Sequence, residues 1–224
     1  MRSPQQVHSA EDLARLRQGE QTGDQAMKID GHYTYPLFTF PEIRDITDVP
    51  LPRLHYWAGH TGRPPLFAST KPTGWWNLQV PFLGLVSVLA LSELRQEGIP
   101  LQKIRQAVRA LSHHFGIEHA LAHKRLYTDR LDLLDDDPPA VEKYLAGLCY
   151  GGNGYVERIV MDKYGDAEVI ADPRYHSGTP CFVEGGVPVK YVFEQYYLGA
   201  SVEKLVREYG VSKAQLESAL RAAA

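Results

Sequence analysis

The sequence predicts a mainly α-helical fold in two parts: a winged helix-turn-helix domain, then a three-helix helix-turn-helix domain with a small β ribbon. Three observations carry this. Near the carboxy end, Val202, Leu205, Val206 and Tyr209 form one apolar stripe closed by Gly210; beyond Val211, Ser212 caps a last helix with Leu216, Ala219 and Leu220 inward. Nearer the start, two short helices are expected over 41–47 and 51–57, each with proline in its first turn, around Asp48-Val49-Pro50. Between these regions Val156, Arg158 and Val160, then Ala167 and Val169, alternate as strands do, joined through Tyr164-Gly165-Asp166.

Composition sets the bounds. A chain of 224 residues has room for two compact domains, and 44% apolar with 23% charged residues describes a soluble globular protein. A formal charge of −3 argues against a protein that coats nucleic acid indiscriminately. Two cysteines, Cys149 and Cys181, are too few for a disulfide framework and suit a reducing cytoplasm. No basic start followed by an apolar run marks a signal peptide.

Taken in order, residues 1–29 are polar and read as a flexible arm, although Ser9 with Asp12 could cap one short helix carrying Leu13 and Leu16. The first domain is expected over 30–130. Tyr33 to Phe38 is strand-like or an extended lead-in, and the two short helices follow, the second with Leu54 and Trp57 inward. Gly59 to Gly74 holds Arg63 and Lys71 among six glycines and prolines, which in a winged helix is the wing and otherwise a surface loop.

Val80 to Glu97 is apolar nearly all round but too short to span a membrane, so it must be buried centrally or across a subunit interface. A homodimer is expected on that ground. After Gly98-Ile99-Pro100, the residues Leu101, Ile104, Val108, Leu111 and Phe115 share one stripe. Lys103, Arg105 and Arg109 form a basic face off it, set to meet phosphate or simply solvated.

His113, His114, His119 and His123 raise a metal site, with His119 and His123 four apart on one helix face. No glutamate directly follows His119, and Gly116 separates the two pairs, so end-of-helix histidines are expected and no metal. Residues 131–139, with Asp132, Asp135, Asp136 and Asp137 before Pro138-Pro139, read as a solvated linker. The glycines of 150–155 lack the Lys-Ser/Thr of a nucleotide-binding loop and read as a hairpin turn.

The second domain, 140–224, carries the ribbon and then Asp172-Pro173-Arg174-Tyr175-His176, a short apolar run at Cys181-Phe182-Val183, and a turn at Glu184-Gly185-Gly186. Val189, Val192, Phe193, Tyr196 and Tyr197 recur at helical spacing up to Gly199. The last helix exposes Lys213, Gln215, Glu217, Ser218 and Arg221 on its predicted outer face. Such a module can read DNA, or pack against protein alone. No nucleophile, base and orienter fall into a catalytic pattern, so neither an enzyme nor a cofactor is expected.

Two resemblances sharpen this. Asp172-Pro173-Arg174, Gly178-Thr179-Pro180, Gly186-Val187-Pro188-Val189, Gly199-Ala200-Ser201-Val202-Glu203, Tyr209-Gly210-Val211 and Ala219-Leu220 together resemble a small helical antitoxin family. That family was long catalogued only as a domain of unknown function and is found beside PIN-like ribonuclease toxins. The segment Cys181–Gly186 departs from it by lacking a basic residue. The spacing Phe-x-x-Ile-x-x-Ile-Thr-x-Val-Pro-x-x-x-Leu-x-x-Trp from Phe40 to Trp57 is similar to the amino-terminal helix-turn-helix of MerR-like regulators and of the larger VapB-type antitoxins. The run Gly98-Ile99-Pro100-Leu101-x-x-Ile104-Arg105-x-Ala107, then Glu118-His119-x-Leu121-Ala122, extends that likeness over most of 33–130.

The resemblance implies a type II antitoxin that neutralises a PIN-like ribonuclease toxin and represses its own promoter as a DNA-binding homodimer. The expected DNA contacts are Arg44, Arg53, His55, Tyr56, Arg63 and Lys71, with Lys213, Gln215 and Arg221 in the second module. The expected toxin contacts are Arg174, Tyr175, His176, Lys213 and Arg221. A stand-alone MerR-like regulator and a metal-dependent enzyme using the histidines are the alternatives.

Overall fold

The computed structural model describes residues 29–60, 62–70, 77–128 and 145–223. Residues 1–28 of the arm, Thr61, Lys71 and the rest of 71–76, and the whole linker over 131–139 lie outside these residues.

Asp30 caps a short helix α1 (Gly31–Thr34), so Tyr33 and Thr34 are helical, and only β1 (Pro36–Phe38) is a strand. The expected extended lead-in is shorter because the Asp30 carboxylate accepts the His32 N–H and starts a turn there. Helix α2 (Phe40–Thr47) opens on a reciprocal box in which Thr39 and Glu42 satisfy each other's backbone N–H groups. It closes on Asp48 in the left-handed region at φ 58°. Helix α3 (Leu51–Trp57) follows after the three residues Asp48, Val49 and Pro50, completing the expected helix-turn-helix.

β2 (Val80–Pro81) pairs antiparallel with β1 and leads into α4 (Phe82–Gln96). Helix α5 (Leu101–Phe115) stops at Gly116, a 3-10 turn covers Ala120–Ala122, and α6 spans Arg125–Thr128. His119 and His123 therefore do not share a helix face, because Gly116 ends α5 before them. His113 and His114 are exposed at the end of α5, while His123 is buried with its ring edge-on to Tyr155 at 4.7 Å. Burial holds His119 below its ordinary pKa, although Glu118 pulls the other way. Among the described residues no group of three or more His, Cys, Asp or Glu could hold a metal.

The expected ribbon is a four-stranded antiparallel meander: β3 (Leu148–Tyr150), β4 (Val156–Val160), β5 (Val169–Ala171) and β6 (Cys181–Phe182). Helices α7 (Val189–Tyr197), α8 (Val202–Tyr209) and α9 (Lys213–Ala222) complete the chain. Ser201 and Ser212 cap α8 and α9, and Gly210 ends α8 at φ 68°, as the sequence implied. Glu184 accepts the Ser212 N–H at 2.7 Å and pins the turn after β6 to the start of α9.

Helix α4 lies at the centre. Leu83, Leu85, Val86, Val88, Ala90 and Leu91 have no exposed surface, so the chain itself covers the apolar surface from which a dimer was expected. No helix among the described residues is long and apolar enough to cross a membrane. The stripe of α5 is narrower than expected, since Phe115 is 47% exposed and lies under the Arg125 guanidinium.

One set of buried side chains runs from Tyr33 to Ala219 without a gap between the two halves. Gly178 shows how closely they meet: at φ 81°, a Cβ there would stand 3.1 Å from Phe38 and 3.2 Å from Phe82. Lys163 makes the polar part of the seam. Its ammonium donates to the carbonyls of Asp45 (3.1 Å) and Ile46 (2.9 Å) and to the Asp48 carboxylate (2.9 Å), filling acceptors that the end of α2 leaves open.

Candidate nucleic-acid interface

The sequence builds the helix-turn-helix by dividing two short helices between core and solvent. Phe40, Ile43 and Ile46 of α2 and Leu54 and Trp57 of α3 are buried. Thr47 donates its hydroxyl to the Ile43 carbonyl at 2.7 Å and accepts from the Val49 N–H, which fixes the turn. Arg53 and His55 are left exposed on α3, and Tyr56, next to His55, is half-buried.

Tyr56 organises the basic groups. Its hydroxyl accepts from Arg63 at 2.8 Å, and the guanidinium of Arg63 lies 5.4 Å from the ring centroid. Arg105 of α5 lies 6.0 Å from the same ring and donates to the Pro64 carbonyl, and its other terminal nitrogen is buried without a partner. Arg53, one turn before Tyr56, adds a third cation on the helix itself. These groups can bind phosphate and, through Arg53, reach a base edge.

His55 is partly committed. Its ring stacks on Phe40 at 4.6 Å, and its Nδ1 lies 3.0 Å from that of His60. Arg44 is held by Asp45 through two bonds of 2.9 and 2.7 Å, both side chains being exposed. Behind Arg63 the loop turns Leu66 and Phe67 into the core and closes at its base where Thr70 and Gln79 exchange hydrogen bonds. The described residues 62–70 contain no strand. Arg105 was visible in sequence as part of a basic face, but its meeting with Tyr56 was not.

The second module differs from expectation. Ser218, predicted exposed on α9, is buried and accepts the Asp166 N–H at 2.9 Å, and the Gln215 side chain accepts the Glu168 N–H. The turn between β4 and β5 leaves these donors without ladder partners, and the polar side of α9 supplies the acceptors. Lys213 sits between Glu203 (3.4 Å) and Glu217 (3.6 Å), and Arg221 is exposed.

Arg174 is likewise committed. It grips Asp172 through Nε–Oδ1 at 2.9 Å and a terminal nitrogen–Oδ2 contact at 2.7 Å, and the Asp172 side chain is 1% exposed. Burial raises the Asp172 carboxyl, but the bonds and charge of Arg174 outweigh it and hold the group below its ordinary value. Tyr175 is exposed, and His176 lies 2.9 Å from the Gly186 carbonyl.

The helix-turn-helix with its basic cluster is the arrangement of a DNA-binding regulator. Residues 36–108 match a family described as "Putative DNA-binding HTH domain", and residues 169–222 match "Protein of unknown function (DUF433)". The chain is 30% identical, over 90% of its length and 99% of the relative's, to "Putative antitoxin VapB45" of Mycobacterium tuberculosis (strain ATCC 25618 / H37Rv). It also resembles the crystal structure of Rv2018 from Mycobacterium tuberculosis, with a TM-score of 0.71 and 28% identity over 83% of this chain and 98% of that one. The chain belongs to the VapB-type antitoxin family.

Proposed function

We propose that the chain is the antitoxin of a type II toxin-antitoxin pair, holding a PIN-like ribonuclease inactive and repressing its own promoter in the cytoplasm. The observation that carries the DNA half is the gathering of Arg63 and Arg105 on Tyr56 beside the exposed Arg53 of α3. Arg53, His55 and Tyr56 face the groove in this reading, while Arg44, Arg63, Lys71 and Arg105 hold the backbone. Two copies on an inverted repeat would place one α3 in each half-site.

The carboxy-terminal half is the proposed toxin side. Arg174 and Lys213 do not offer a free cation: each is already paired with carboxylate, so inserting either into a metal-binding cluster would strip that pair first. Exposed Tyr175 and Arg221 carry no such cost.

The test joins both halves. The whole chain is mixed with its promoter fragment and with the nuclease encoded beside it, and operator binding and RNA cleavage are measured. Operator binding that survives Arg53→Ala and Arg105→Ala together would exclude the amino-terminal assignment. RNA cleavage undiminished by excess chain would exclude the antitoxin reading.

A further inference from the structure

Among the described helices of eight or more residues, α5 alone carries no Asp or Glu. The gap runs past both its ends. From Gly98 to Ile117 the sequence holds Lys103, Arg105 and Arg109 and no acid, a formal charge of +3 in a chain whose total is −3. Helix α3 likewise holds Arg53 and no acid. The two helices meet at Tyr56, whose ring lies 6.0 Å from the Arg105 guanidinium.

Cations on the other helices are balanced close by. Lys190 pairs with Glu194, and Lys213 sits between Glu203 and Glu217. Arg109 has no such neighbour: it is exposed, and it makes no ion pair with any described residue. Ile104, Ala107 and Leu111 turn the opposite side of α5 into the core. Arg109 stands four residues after Arg105, hence on the same face and about 6 Å further along the axis. The row therefore begins at the recognition helix and leads away from it along α5.

An unbalanced basic face on an acidic chain suits a polyanion, and a basic stripe along a helix is the electrostatic footprint of nucleic acid. Carboxylates of a protein partner would satisfy the same charge. Continuity decides for DNA, because Arg105 joins the row to the helix assigned to the groove, and phosphates line the groove on both sides. We propose that α5 is a second DNA-contacting element, and that Arg109 takes a backbone phosphate beyond those held by Arg63 and Arg105. The inference rests on the DNA half of the function proposed above. Such a contact adds affinity for any duplex and carries no sequence preference.

The experiment titrates the full chain with its promoter fragment and with an unrelated duplex of equal length, by fluorescence anisotropy over a series of salt concentrations. Arg109→Ala should lower the slope of log affinity against log salt by about one unit on both duplexes. Arg109→Lys keeps the charge and should keep the wild-type slope. Arg207→Ala removes an exposed arginine from the acid-bearing α8 and should leave the slope unchanged, with circular dichroism checking the fold of each variant. A slope unchanged in Arg109→Ala, while Arg53→Ala loses operator preference, overturns the α5 contact and leaves the DNA reading standing. A wild-type chain that binds neither duplex overturns both. An equal fall in Arg207→Ala reduces the effect to net charge, and a loss confined to the promoter fragment makes Arg109 a reader of bases; either overturns the proposal. Weakened binding of the neighbouring nuclease with an unchanged slope assigns the face to protein and overturns it as well.

Discussion

Replacing Lys163 with methionine keeps the aliphatic stem and removes the ammonium, which isolates the polar part of the seam between the two halves. The Lys163 side chain is 29% exposed, while its carboxylate partner Asp48 is 78% exposed. The ion pair is therefore worth little, at most about 1 kcal/mol. More is at stake at the Asp45 and Ile46 carbonyls, the open acceptors at the end of α2. Water can reach these once the ammonium is gone, which limits the loss. Together the three bonds set the cost at about 1–2 kcal/mol, since a net hydrogen bond contributes about 1 kcal/mol. For a chain of this size that lowers Tm by roughly 2–8 °C. Differential scanning calorimetry of wild type and Lys163→Met measures it. A Tm unchanged to within about 1 °C would refute the reasoning, because it would mean that the seam is held by apolar contact alone.

Arg53→Ala should weaken operator binding by about 1–3 kcal/mol and relax preference at one base position, read by fluorescence anisotropy over a set of operator variants. Arg105→Ala and Lys71→Ala should instead weaken all sequences alike and lower the slope of log affinity against log salt by about one unit each. Asp172→Asn should destabilise the chain at neutral pH by about 1–3 kcal/mol, less than a fully buried pair because Arg174 is 53% exposed. Since the folded Asp172 carboxyl is held below its ordinary value, its contribution is complete at neutral pH and is lost as pH falls through the folded value. Denaturant titrations should accordingly show a shallower acid-side loss of stability in Asp172→Asn than in wild type, and parallel curves would exclude Asp172 as the cause.

Local signals were legible in the sequence. Ser201 and Ser212 cap their helices, Gly210 ends one, and the periodic α4 is buried, because each follows from residues within a turn or two of one another. What could not be read joins distant positions. Lys163 reaches Asp45 across 118 residues, and no periodicity marks such a pairing. Arg105 stood out as basic, but nothing local ties it to Tyr56. Ser218 and Gln215 looked like a reading face because polar residues on a helix usually meet solvent, yet here they serve the unmet N–H groups of a neighbouring turn. The same rule in reverse misplaced Tyr197, whose helical spacing matched the core and whose side chain is 68% exposed.

The unbroken core from Tyr33 to Ala219 bears on how long such a protein lasts in a cell. Separating the halves would bare Phe38 and Phe82, which Gly178 approaches so closely that an added Cβ would stand 3.1 and 3.2 Å from them. Opening at either end thus removes support from the other, and a protease that gains a foothold in one half inherits both. In the function proposed here, the promoter would be released and the nuclease set free by one degradative event rather than two, so repression and inhibition would share a single lifetime.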